Sequence, residues 1–194
     1  FDRLPRWSDW SLFNLSFYYP YNHYRHGEPD DIETHRERTR LKQIGRLIRI
    51  GFLKSFESSI NSFEWRCNKL LLKVIAWLRA HQLDDERLAN RINKWINENN
   101  ETLIYASNFT QKESGMNDEF EEEDLDDCLP DVDNNIWSDE DFDVRAIIDE
   151  TYSDLELLAS FSFKLSKFSV SNDAKLNRLV KLIETDAASN TNKI

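Results

Sequence analysis

The chain has 194 residues, 40% of them apolar, with twelve Phe and six Trp, which excludes wholesale disorder and suits one domain or a small pair. The formal charge of -11 is unevenly laid out: residues 1–100 hold 17 Lys and Arg against 13 Asp and Glu, residues 101–194 hold 8 against 23. Two Cys are too few for a disulfide framework, and no apolar run approaches the roughly 20 residues that cross a bilayer, so the expected setting is a reducing cytoplasm.

Residues 1–30 are aromatic and turn-rich and read as an extended strap that buries its rings on a larger surface, with a strand at 12–19 or an aromatic nucleic-acid platform as alternatives. Residues 31–112 read as the main helical domain. Asp30 or Asp31 would cap its first helix. Leu41, Ile44, Ile48, Phe52, Phe56, Ile60, Phe63, Cys67, Leu70, Val74 and Leu78 then recur at three- and four-residue steps, a helical stripe over about 33–80 widened by Leu47, Leu53 and Leu71. Gly45 and Gly51 mark a bend or a close backbone approach within it. A second helix fits 84–97, capped by Asp84 or Asp85, burying Leu88, Ile92 and Trp95 and ending at Asn99 and Asn100. No pattern places 101–106.

Between Asn117 and Asp143 there are fourteen acids and no Lys or Arg. Mutual repulsion and little apolar surface make 113–143 an acidic linker, or a strip that docks on basic surface. It lacks the glycine and alternating ligands of a calcium loop, so no metal site is expected. Helix resumes over 144–186, with an interruption near 160–162 and a last helix capped by Ser171, and 187–194 is a frayed tail. The fold class that follows is all-α: a long-helix bundle or antiparallel helical insertion with an aromatic N-terminal strap and an acidic linker.

No catalytic constellation stands out. His23 and His26 lack partners at metal-ligand spacing, and Ser55, Ser58, Ser59 and Ser62 lack a base and an oxyanion site. Those serines suit close approach of another element, or a bond to phosphate. There is no Gly-rich phosphate loop and no strand ending in acids to hold magnesium. Seven cations over 36–54 face only Glu37; an exposed part of this run, Arg49 and Lys54 in particular, suits a phosphate backbone, and pairing with the acidic segment is the alternative. The chain begins at Phe1, so it reads as a segment of something larger.

The run from Leu53 to Phe63, LKSFESSINSF, resembles a motif that follows the first RecA-like motor lobe in large bacterial superfamily-two, Snf-type helicase-like ATPases, some of which act in phage defence. The run SNDAKLNRLVKLI at 171–183 is similar to the helix that introduces the second lobe of those proteins. The resemblance implies a non-catalytic helical insertion that braces or couples two motor lobes, in contact with DNA or another nucleic acid. Leu53, Lys54, Phe56, Glu57, Ser58, Ser59 and Phe63 would form its structural motif, and Arg46, Arg49 and Lys54 would be its candidates for phosphate or interdomain contact. ATP and Mg would belong to the parent protein, and no cofactor or metal to this part. The alternative is a stand-alone helical protein-interaction or regulatory module; a small Ser/His/Asp hydrolase is a third class.

Overall fold

The apolar stripe over 33–80 folds as two helices rather than one. The structure, a computed structural model, describes residues 13–26, 32–81, 85–114 and 137–168, with positions 177, 178, 181 and 182. Among the described residues it is an all-α bundle without strands: a 3-10 turn at Pro20–His23, then α1 (Ile32–Ser58), α2 (Ile60–Ala80), α3 (Glu86–Glu98), α4 (Asn100–Ser114) and α5 (Val144–Ser166). The break falls at Ser59, whose backbone is extended (φ -154°, ψ 155°) and whose hydroxyl accepts from the Ser62 N–H at 3.0 Å. A serine cap satisfies one of the orphan donors that starting a new helix creates.

Neither glycine is the site of the break. Both lie inside α1 and are buried, and a methyl group built on Gly45 would meet no heavy atom within 4 Å. Close backbone approach is therefore not what this glycine serves. Since Gly costs a helix interior about 1 kcal/mol relative to Ala, Gly45→Ala should stabilise the protein by about 0.5–1 kcal/mol. Urea unfolding of both proteins measures it.

The break also re-sorts the stripe. Leu41, Ile44, Ile48 and Phe52 are buried on α1, and Phe63, Cys67, Leu70, Val74 and Leu78 on α2, but Phe56 is 61% exposed. Leu47 and Leu53 do not widen the buried face; they point to solvent. α3 begins where the acids place it, since the Asp85 carboxylate accepts from the backbone N–H of Arg87 and Leu88, and Ile92 and Trp95 are buried. α4, unplaced by pattern, follows after Asn99 alone. α5 opens on Asp143, which accepts from the Ala146 N–H, and runs unbroken through 160–162, against the expected interruption. Asp30, Asp31 and Ser171, the other expected caps, lie outside the described residues, as do 1–12, 115–136 and 187–194.

α2 is the hub, packing most widely on α5 and α4. At one end Phe63 meets Phe161, ring centroids 6.1 Å apart; at the other Trp77 meets Phe17, whose neighbour Ser16 bonds Glu150 of α5. α2 and α5 therefore run antiparallel. Leu71, Val74 and Trp77 of α2 and Ile147, Leu155 and Leu158 of α5 are almost wholly buried. Closing an apolar face of this kind is what holds helices together in water.

Residues 13–26 are not a strand: a turn occupies 16–18 and the 3-10 turn follows. They run between α1 and α5, antiparallel to both. Phe13 lies near Phe52 and Phe161 (5.0 and 6.3 Å), Tyr21 bonds Glu37, and Tyr24 pairs with Phe142 in an isolated antiparallel bridge at the entry to α5. Phe13, Leu15, Phe17, Tyr18 and Tyr21 are buried. These side chains fill the groove between two helices whose direct contact is slight.

Candidate interaction surface and buried polar groups

Two polar side chains from different helices hold the backbone at residues 13–15. Arg49 of α1 donates from Nη2 to the Phe13 and Asn14 carbonyls at 3.1 and 2.8 Å, and from Nε to Phe13 at 3.3 Å. Asp154 of α5 accepts from the backbone N–H groups of Asn14 and Leu15 at 2.8 and 2.7 Å. Leu15 sits between them in the left-handed region, φ 55°, where a branched side chain is strained by about 1–2 kcal/mol. Its carbonyl in turn accepts from Tyr18 and Tyr19. Burial pushes the Asp154 carboxyl up to about 6, although the two backbone donors and Arg49 favour its charged form and Glu150 opposes it. Burial likewise lowers the Arg49 guanidinium, against the pull of Asp154. Arg49, a candidate for phosphate contact in the sequence, thus has these donors turned inward.

Next to this clamp, Ser16, Glu150 and His23 come together. The Ser16 hydroxyl donates to Glu150, and His23 Nε2 lies 3.0 Å from the same carboxylate oxygen. The carboxylate stands in the middle, so the imidazole is not placed to take the serine proton, and Ser16 is buried. A nucleophilic triad needs hydroxyl, imidazole and carboxylate in that order. The cluster pins the segment; it does not build a hydrolase.

A second buried group lies between α2 and α4. Tyr105 donates to Glu64 at 2.5 Å, and burial followed by this bond pushes the phenol up. Cys67, wholly buried beside Glu64, is likewise pushed up, first by burial and then by that carboxylate. A thiol held protonated is a poor nucleophile and a poor metal ligand. Asn68 is 0% exposed, and neither of its amide atoms has a hydrogen-bond partner. Among the described residues no three His, Cys, Asp or Glu gather at metal-ligand distance, and no helix is long and apolar enough to cross a membrane. An open groove of about 350 Å³ between α2 and α4 is lined by Trp65, Lys69, Leu72, Lys73, Ala76 and Thr110, and its walls are mostly apolar. Lys69 lies 4.4 Å over the Trp65 ring.

The motif residues divide at the helix break. Leu53, Lys54, Phe56, Glu57, Ser58 and Ser59 are all exposed, Leu53 at 63%, whereas Ser55 and Phe63 are buried. Ser55 returns its hydroxyl to the Phe52 carbonyl. Phe56 keeps an edge contact with Phe63 at 5.2 Å. Arg46 and Lys54 share the exposed side of α1, and Arg49 is half-buried.

That exposed side has an order of its own. Arg36, Arg40, Gln43, Leu47, Ile50, Lys54 and Glu57 follow one another by four and three residues, and every one is exposed. A 4-3 alternation keeps residues on one line along a helix. The buried line of Leu41, Ile44, Ile48, Phe52 and Ser55 runs on the opposite face. The spacing of the outer line is present in the sequence, but its two apolar members are too few to stand out beside the inner stripe.

No protein-family model, curated protein or solved structure matches this chain.

Proposed function

We propose that this chain is a non-catalytic helical interaction module whose working surface is the outer face of α1. One observation carries the reading. Leu47 and Ile50 lie on the exposed 4-3 line of a helix whose inner face already has a full core, Leu53 is exposed beside them, and cations stand among them. Large apolar side chains left outside and rimmed by charge mark a surface that meets another molecule. The buried Asp154 and Glu64 and the part-buried Arg49 and Glu150 bond within the bundle, which supports a scaffold rather than a reaction centre.

A second reading is favoured by the outward placement of Leu53, Lys54 and Phe56. If the motif resemblance holds, the surface met is a RecA-like motor lobe of a helicase-type ATPase, which would itself bind ATP and Mg. Arg46 and Lys54 would then be the remaining candidates for nucleic-acid contact.

A photo-crosslinking residue at position 50 of the full chain, in the cells that make it, tests the module. Ultraviolet light should give a discrete adduct from position 50, lost on Leu47→Asp, and none from position 90, a polar exposed site on α3. An adduct to a motor lobe would select the second reading. Equal labelling at both positions, or none at 50, would remove the module.

A further inference from the structure

We propose that the outer line of α1 is the two-fold interface of a homodimer, a deepening of the module reading on which it rests. The 4-3 spacing makes Arg40, Leu47 and Lys54 one set of alternate positions and Gln43, Ile50 and Glu57 the other, all exposed on a 27-residue helix. In an antiparallel pair of helices each position of one set faces one of the other set across the two-fold axis. Placing that axis midway between Ile48 and Arg49 sets Leu47 against Ile50 of the second copy, twice by symmetry. One layer outward Gln43 meets Lys54, and beyond it Arg40 meets Glu57. Every layer is compatible: an apolar centre, an amide beside an ammonium, and opposite charges at each end.

The parallel alternative sets like against like, with Arg40 on Arg40 and Lys54 on Lys54, and is repulsive. Charge complementarity therefore selects both the occupant and its direction. Leu47 and Ile50, 47% and 38% exposed, supply a modest apolar centre. The dimer is accordingly of the weak, reversible kind, sensitive to salt through its end layers.

Charge exchange supplies the test, read by sedimentation equilibrium of the full chain at protein concentrations up to about 200 µM, which covers micromolar dissociation constants. The wild type should be dimeric at the upper end. Arg40→Glu and Glu57→Arg should each weaken the dimer by at least about tenfold, since each sets like charges together at both ends. An equimolar mixture of the two variants should restore it as a heterodimer, and the double variant should restore it alone. Both positions are exposed, so unchanged thermal melting verifies that the variants fold. A wild type that stays monomeric, or a dimer indifferent to these charges, overturns the proposal. If position 50 still crosslinks to a different protein, the module stands without the dimer; if it labels nothing, both fall.

Discussion

Arg49→Met should lower the stability of the protein by about 2–4 kcal/mol, and the melting temperature by about 5–12 °C for a chain of this size. The substitution keeps the aliphatic stem and removes donors to two backbone carbonyls, those of Phe13 and Asn14. It also removes the cation that favours the charged form of Asp154. Arg49→Lys should fall between, because one ammonium does not reproduce the planar fork that reaches both carbonyls. A surface arginine kept for phosphate would behave differently, its loss changing stability by no more than about 0.5 kcal/mol.

The same site has a pH signature. Asp154 rests at about 6 in the folded protein against a reference of 3.8, so between those values the folded state binds the extra proton. Its contribution to stability is therefore full below about pH 4, declines as pH rises through 6, and is flat above, a change on the order of 2–3 kcal/mol. Asp154→Asn should abolish that decline, and Arg49→Met should move it to higher pH. Urea midpoints at half-unit steps from pH 4 to 7.5, compared between variants, isolate this group from the other carboxylates.

Trp77→Ala should be the most damaging single change in the core, at about 3–5 kcal/mol. Trp77 is 1% exposed, stacks on His81 at 3.9 Å, and meets Phe17 of the segment between α1 and α5, so its loss opens a cavity touching both. Its indole N–H is buried without a hydrogen-bond partner. Trp77→Phe removes that unpaired donor while keeping a ring, and the relief of about 1–3 kcal/mol offsets part of the lost contact. The phenylalanine variant should therefore lie within about 1.5 kcal/mol of wild type. Chemical unfolding of the three proteins at one pH separates ring volume from the polar atom.

How much of this the sequence displayed depends on the range of the interaction. The inner faces of α1, α2 and α5 were readable because burial repeats with the helical period, and the start of α3 because Asp85 sits where a cap belongs. The break at Ser59 was not, because apolar residues continue through it in step and the interruption is set by a cap and by Phe52 and Phe63 meeting across it. α4 carries one fully buried apolar residue, Ala106, too little periodicity to announce a helix. The clamp on residues 13–15 was invisible for another reason. Arg49 lies 36 residues from Phe13 and Asp154 lies 140 from Asn14, and no local pattern joins them. The left-handed Leu15 follows from that clamp and not from its own preference. The motif at 53–63 was visible as a string, but which of its members face outward depended on where the helix ended.

The bundle depends on residues 13–26 lying between α1 and α5 while α5 closes on α2. The most direct measurement is a nuclear Overhauser spectrum of the protein with selectively labelled phenylalanines. It should show ring-to-ring cross-peaks from Phe13 to Phe52 and from Phe63 to Phe161, whose centroids are 5.0 and 6.1 Å apart. Helical chemical shifts throughout α1, α2 and α5 with both cross-peaks missing would contradict it: the helices would be present and the bundle would not.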